Sequence, residues 1–402
     1  MGIDNVTGRG KYIGILHDRG FYTYYSNLSE ILVRRNDQVR QGHIIGRIDN
    51  TGTGNDDKPY LSWGLFRFNL TLNMLNVIRE EDHHDFEFDD VNKYIYKTIE
   101  DNKIKFIRII GYFGEGFKVN IPESINGFPV KEIWHKAFSD MGLIDVIIPE
   151  GVTYIGSSFN NNNLVSLKIP STVEVIDKAA FAHNKLKRIM LLEGLKTIGE
   201  EAFYDNRLTN ITIPSSVKNI KSWAFSHNKL TEVILPDITE IENSVFLDNN
   251  LRRITIPESV TSIGPSAFED NKLRRITIPS SVLRIENRAF ENNKLTNITI
   301  PPNSVIEIEP DSFAYNKLRA VELPECVRII YGNAFGNNMN LKKITIGADV
   351  DLIKNTIYHD FFGNITFEVF DHNFDSFYSF IANKQSGTYV YGKKTGWKKE
   401  EK

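Results

Sequence analysis

Apolar positions recur along most of this chain in a fixed pattern about 22 residues long. An aliphatic residue followed by proline returns at Pro149, Pro170, Pro214, Pro236, Pro257, Pro279, Pro301 and Pro324, in steps of 21 to 23 residues with one double step where Leu192 stands in the proline's place. A small residue followed by phenylalanine keeps the same phase, as in Ala180-Phe181, Ala202-Phe203, Ala224-Phe225 and Ala289-Phe290. Asparagine then precedes the leucine that opens the next unit, directly or one residue earlier, as in Asn228-Lys229-Leu230 and Asn293-Lys294-Leu295. The unit from Leu273 to Asn293 shows what the pattern means physically. Leu273, Ile276 and Ile278 predict a short strand with one buried face. Pro279 ends it, because proline cannot donate to a ladder. Val282, Ile285, Ala289 and Phe290 supply further buried contacts, and Asn293 sits at the turn. Its amide can bond backbone groups that a tight coil leaves unpaired, so a stacked column of asparagines would satisfy them turn after turn. One such unit cannot bury its apolar face alone; about ten in tandem form one continuous core, a solenoid.

These residues resemble the BspA-type leucine-rich repeats, whose pattern is close to L-x-x-I-x-I-P-x-x-V-x-x-I-x-x-x-A-F-x-x-N. The segment Ile121-Pro122-Glu123-Ser124-Ile125-Asn126-Gly127-Phe128-Pro129-Val130 looks like the usual entry to such arrays. The resemblance implies a leucine-rich-repeat solenoid of short parallel strands in a right-handed coil over residues 119–350. It also implies a surface or secreted protein of a host-associated bacterium that binds other proteins, host extracellular matrix among them, and that works without a cofactor.

In each predicted strand the residues flanking the buried isoleucine point outward. The candidate binding face is therefore made of outward pairs stacked in two columns, with Arg188, Arg253, Thr255, Arg275, Thr277, Asn297 and Lys343 as the residues selected. Arg253 and Arg275 are expected to be neighbours, with Arg252 and Arg274 close by. That patch reads either as a shallow basic site for an acidic protein or glycan or as ordinary solubilisation of an exposed strand face. His183 and His227 stand beside their repeats' asparagines with Asp205 between them. They read as freely varying loop positions rather than as a metal site.

Residues 1–75 carry no repeat; short β-like runs split by glycines predict a small all-β domain ahead of the solenoid. Gly20-Phe21-Tyr22-Thr23-Tyr24-Tyr25-Ser26-Asn27-Leu28-Ser29 and Asp37-Gln38-Val39-Arg40-Gln41-Gly42-His43-Ile44-Ile45-Gly46 resemble two stretches of the lysostaphin-like (LytM-type) cell-wall peptidases. In that family the first stretch carries a catalytic histidine, where this chain has Asn27, and the H-x-H pair falls on Tyr60 and Ser62. A zinc hydrolase needs three protein ligands and an open position for water, so the resemblance implies a degenerate domain without catalysis. Peptidoglycan binding through residues 1–75 is the alternative function it implies.

Between these parts, residues 76–118 read as an acidic linker followed by an N-terminal cap. Glu80 to Asp90, with the pair His83-His84, is a solvated linker rather than a metal site, since adjacent histidines on irregular chain have no preset geometry. Residues 351–402 break the period, and the aromatics crowded between Phe361 and Phe380, with Trp397 beyond, read as a C-terminal cap or as a sugar-stacking surface. Composition narrows the picture further. The formal net charge of −3 speaks against a general nucleic-acid binder. Cys326 is the only cysteine, which leaves no intramolecular disulfide and no multi-cysteine zinc site. No apolar run reaches the ~18 residues of a transmembrane segment, and no signal peptide is visible at Met1.

Overall fold

The computed structural model describes residues 93–345 in full, apart from 113 and 115, together with the backbone of strands before and after them. The chain divides into two compact units, Met1–Phe86 and Glu87–Lys402. In the first, an antiparallel sheet orders Lys11–Leu16, Phe21–Ile31, Ser62–Phe68 and Leu75–Val77 side by side, with Gly46–Ile48 also pairing with Phe21–Ile31. An all-β reading of this segment matches that architecture.

The second unit is a solenoid of short parallel strands, with no helix among the described residues. Most turns contribute two strands. The first comes from the residues around the outward pairs, such as Asn210–Thr212 against Glu232–Ile234 and Arg275–Thr277 against Asn297–Thr299. The second strand is only two residues long in most turns and stacks as Tyr154–Ile155, Val175–Ile176, Thr197–Ile198 and Asn219–Ile220. Ahead of the array, an antiparallel hairpin of Tyr94–Asp101 and Ile104–Tyr112 extends this second sheet by parallel pairing with Phe128–Ile133. At the far end Lys343–Ile346 pairs antiparallel with Gly387–Gly392, which pairs with Gly396–Lys399. Of the stretch Glu80 to Asp90 read as an acidic linker, Glu87–Asp89 is instead a strand that pairs antiparallel with Tyr94–Asp101; residues 80–86 with the histidine pair, and 361–380 with the crowded aromatics, lie outside the described residues.

The interior is built by two columns. Ten phenylalanines from Phe138 to Phe335 are buried. Successive rings run near parallel, from 5.0 Å between centroids at Phe138–Phe159 to 5.9 Å at Phe225–Phe246, an offset stack rather than a face-to-face one. Tyr112 and Tyr94 of the hairpin cover its open end, with centroids 5.5 and 6.3 Å from Phe138. Beside the rings run the asparagines, and they act as the sequence pattern predicts. Asn228 donates its Nδ2 to the carbonyls of Phe203, Phe225 and Ser226 at 2.9, 3.2 and 3.2 Å, while its Oδ1 accepts the Leu208 N–H at 3.0 Å. Asn184, Asn206, Asn271 and Asn293 repeat the arrangement. Each amide thus joins two turns and closes backbone groups that no ladder reaches.

Two left-handed residues bend most turns around these columns. One precedes the small residue of the small–Phe pair, as at Ala179, Glu201, Ser266 and Arg288; the other precedes the asparagine, as at Asn161, His183, Asp205, His227, Asp248, Asp270 and Asn292. This corrects the reading of His183 and His227 as free to vary. At φ 54 both occupy a conformation that selects for Asn, Asp and His, and the neighbouring turns carry those types.

The outward pairs do not lie on one unbroken sheet, as the stacked columns predicted. Up to Asn297–Thr299 the first strands form separate two-stranded ladders, Ala320–Glu322 and Lys343–Ile346 pair within a four-stranded sheet at the end of the array, and the residues around Arg253 and Thr255 form no strand at all. The second sheet also breaks, between Asn219–Ile220 and Glu240–Ile241. The approach to that strand is one residue short. Ile238 donates its N–H to the Pro236 carbonyl two residues back, where Val217 and Val260 reach back three residues to Pro214 and Pro257. A residue lost directly ahead of a strand shifts its entry against the neighbouring turn, and parallel pairing tolerates no slip, because one residue turns every side chain to the opposite face.

Candidate binding face

The first strand of most turns buries its central residue and leaves the two flanking residues exposed. Ile211, Val233, Ile276 and Ile298 are buried while Asn210 and Thr212, Glu232 and Ile234, Arg275 and Thr277, Asn297 and Thr299 are exposed. Parallel register then stacks like positions, with Ser166 opposite Arg188, Arg275 opposite Asn297, and Ala320 opposite Lys343. Of the selected residues, Arg188, Arg275, Thr277 and Asn297 lie on ladders and are exposed. Lys343 lies on Lys343–Ile346 and is half-buried, while Arg253 and Thr255 are exposed on backbone outside any ladder. Arg253 does not join Arg275 as a free cation: its Nη2 lies 2.6 Å from Glu232 Oε1 in the preceding turn. Both groups are exposed, so the pair contributes little to stability.

Two features of this face escape a residue-by-residue reading. The first is apolar. Ile147, Met190 and Ile234 point outward at 58%, 56% and 59% exposure, alternating with Lys168 and Thr212 in a column that carries Thr255, Thr277 and Thr299 in later turns. The second is a column of cations. The residue between the buried asparagine and the buried leucine is Lys185, Arg207, Lys229, Lys272, Lys294 and Lys317 in six turns, and every one is exposed. Their backbone N–H groups bond the leucine carbonyl of the turn before, as Arg207 to Leu186, Lys229 to Leu208 and Lys294 to Leu273, each at 2.9 Å. That stacking fixes them in line. The signal is present in the repeated Asn-Lys-Leu, which along the chain marks only where a unit starts and says nothing of surface chemistry.

On the other side of the asparagines the row is acidic and internally engaged. His183 Nδ1 lies 3.0 Å from Asp205 Oδ2, His227 Nδ1 lies 2.9 Å from Asp248 Oδ2, and the Asn292 amide donates to Asp270 at 2.6 Å. Tyr204 packs between the two imidazoles at 5.3 and 5.2 Å. Further along, Glu269, Glu291 and Asp311 gather around Arg288, which lies 3.3 Å from Glu291 and 3.9 Å from Glu269. Burial, reinforced by the neighbouring carboxylates and opposed by Arg288, pushes the Glu291 carboxyl up to about 7, and burial raises Glu269 and Asp311 as well. Among the described residues no group of three or more His, Cys, Asp or Glu side chains is arranged to hold a metal ion, and no helix is long and apolar enough to cross a membrane.

The repeat geometry agrees with what comparison with known proteins finds. The family described as BspA type leucine rich repeat region matches residues 131–251 and 239–362, in six copies, which is more than half of the chain. This protein belongs to the BspA-type leucine-rich-repeat family. Peptidase family M23 also matches, over residues 2–74. No curated protein matches the chain. Among solved structures, a leucine-rich repeat protein of Bacteroides ovatus is 21% identical, with 67% of this chain and 91% of that one covered and a TM-score of 0.40. The pneumococcal vaccine antigen PcpA is 19% identical over 67% of this chain and 85% of its own, with a TM-score of 0.47. A leucine-rich cell surface protein of Faecalibacterium prausnitzii is 19% identical over 68% and 96%, with a TM-score of 0.37. In the M23-matching segment, backbone register sets Ser26 opposite Ser62, so Asn27 and Ser62 stand on adjacent strands. Tyr60 lies outside the described residues.

Proposed function

We propose that this BspA-type repeat protein is a non-catalytic, adhesin-like module, secreted or held at a bacterial cell surface, that binds a protein partner on its first-strand face. The observation that carries this reading is the exposure of Ile147, Met190 and Ile234 beside Arg188 on that face. Folding does not require large aliphatics there, since threonine fills the same column at Thr255, Thr277 and Thr299. Exposed aliphatics set among polar groups, here alternating with Lys168 and Thr212, suit a partner surface, and solenoids present such extended faces. Host extracellular matrix proteins are the partner class the family resemblance suggests. Binding of the full chain to fibronectin, fibrinogen and laminin tests the reading, beside Met190→Asp/Ile234→Asp and Arg253→Glu/Arg275→Glu variants. Saturable binding that either variant weakens at least about tenfold, roughly one lost hot-spot contact, supports the strand face; binding that neither variant changes sinks it.

A second reading rests on the M23 match: residues 1–75 act as a peptidoglycan-binding piece or regulate a hydrolase. The proposed role of that segment is not catalytic. Asn27, Tyr60 and Ser62 stand where the lysostaphin-like resemblance wants histidines, and an amide, a phenol and an alcohol do not replace imidazoles as zinc ligands at neutral pH. Stoichiometric zinc in the purified protein would reverse that judgement. Peptidoglycan pull-down unaffected by both face variants would move the function to this segment. With it goes the division proposed for the chain: 1–75 peptidase-like domain, 76–118 linker and cap, 119–350 solenoid, 351–402 C-terminal cap.

A further inference from the structure

Beside the strand face, one row nearer the asparagines, the solenoid carries a cationic ridge stacked turn on turn, and we propose that this ridge binds a linear polyanionic glycan, a sulfated or uronate-rich polysaccharide chain. The proposal goes beyond the protein-binding reading; the outermost row of the ridge shares Arg188 and Arg275 with the strand face, while its central row lies outside that face. Its basis is a segregation of charge that the net value of −3 conceals. Lys185, Arg207, Lys229, Lys272, Lys294 and Lys317 form the central row. Two and three residues further along each turn, past the buried leucine, come two more exposed rows. These add Lys187, Arg252, Arg274, Arg319 and Lys342 in one, and Arg188 and Arg275 in the other, where Arg253 is taken up by Glu232. Four consecutive residues span only about 10 Å, so the three rows make one band. The sole carboxylate in these rows between Lys185 and Lys342 is Glu232, already bound by Arg253. Among the described residues none of the six central cations is held in an ion pair, unlike Lys178, Lys196 and Lys221 on other rows, which meet Glu200, Glu174 and Glu242. Folding therefore leaves a line of charge uncompensated along the array, where mixed signs would have served solubility equally well.

The form of the band selects the ligand. Successive turns step by the ordinary strand spacing of about 4.8 Å, so the row from Lys185 to Lys317 runs for about 30 Å with a charge at nearly every step; Asn250 marks the one gap. A periodic line of this length matches an extended polymer with charge on each sugar or each second sugar, whereas the acidic patch of a folded protein has no such repeat. Positions on the three rows that are not cationic are mainly threonine and asparagine, including Thr209, Thr231, Thr296, Asn210 and Asn297. Their hydroxyls and amides can pair with sugar hydroxyls. No aromatic side chain occurs on these rows between Lys185 and Lys342, so a single-stranded nucleic acid finds no platform for its bases. The row across the asparagines carries Asp205, Asp248 and Asp270, bonded to His183, His227 and Asn292 of the same row, and adds no lysine or arginine to the band.

The test uses the full chain and heparin as probe, with titration at low and physiological salt. Lys229→Glu/Lys272→Glu/Lys294→Glu reverses the middle of the ridge, and the matching triple Gln variant removes charge without reversing it. The expected result is heparin binding that falls steeply with salt, about 100-fold weaker in the Glu variant and intermediate in the Gln variant, while thermal unfolding stays unchanged. Binding to the protein partner of the strand face, lost in Met190→Asp/Ile234→Asp, should persist in the ridge variants, so the two readings fail separately. Heparin binding that the ridge variants leave intact overturns the proposal. So does displacement of heparin by single-stranded DNA or poly-glutamate at equal charge, which would show attraction without selection for a glycan.

Discussion

The asparagine column and the lysine column are one residue apart along the chain and repeat with the same period, yet they are held by different constraints. Asn228 is buried with all of its amide capacity used, three carbonyls accepting and one N–H donating. Lys229 contributes only its backbone to the stack and sends its side chain to solvent. The first position repeats because the backbone cannot close without it. The second repeats although folding asks nothing of its side chain. A regular interior is therefore evidence about the fold, and the regular exterior is the observation on which the proposed glycan ridge rests.

The contrast can be broken most severely from the inside. Asn228→Ala removes four hydrogen bonds and leaves buried carbonyls and the Leu208 N–H without partners, at about 1–3 kcal/mol per stranded group. A loss of about 4 kcal/mol is expected in denaturant unfolding, with Phe225→Ala losing about 3–5 kcal/mol through the cavity left in the ring stack. Gly194→Ala should come close to these. Its φ of +113 strains an L residue, and the added Cβ would sit 2.2 Å from the Ser171 carbonyl oxygen. A Gly194→Ala protein with unchanged melting temperature would mean that the turns are far more loosely stacked than their hydrogen bonds imply.

A smaller effect lies on the acidic side. The Glu291 carboxyl, raised by burial to about 7, ordinarily titrates near 4.3 in an unfolded chain. Between those values the folded protein holds a proton that the unfolded chain has released, so stability falls as pH rises through that window. Glu291→Gln should flatten this part of the stability profile and stabilise the protein at pH 8, measured by thermal unfolding across pH. A variant whose profile keeps the same slope would shift the effect to Glu269 or Asp311, which burial raises in the same direction. Least of all in stability terms are the exposed rows. The ridge variants should stay within about 0.5 kcal/mol of the parent, and Ala179→Gly, at φ 50, should gain up to about 1 kcal/mol by relieving a left-handed alanine.

Much of this molecule is legible along the chain. Strict spacing exposes the solenoid, the buried faces, the asparagine column and the outward pairs of the short strands, because in a coil of fixed period a residue's place in the unit decides its place in space. The same logic reaches the all-β character of the opening segment. It fails where the stacked strands are assumed to pair without interruption. The break beyond Asn219–Ile220 follows from the short approach between Pro236 and Ile238, a deletion visible in the sequence whose cost in register appears only when turns are stacked. Residues 253–255 lie outside any ladder, although their apolar and polar positions match those of their neighbours. The pattern fails again at His183 and His227, since backbone handedness at those positions is a property of the bend and not of a side-chain periodicity.

The sequence by itself determined the repeat, its core and its family, because burial and backbone hydrogen bonding are local to each unit and its neighbour. Tertiary structure alone decided which charges compensate each other. Arg253 is spoken for by Glu232 one turn away, and among the described residues the cations from Lys185 to Lys317 in the central row are left in line without ion pairs. Coulomb attraction between side chains depends on distances across turns, which a one-dimensional pattern does not contain.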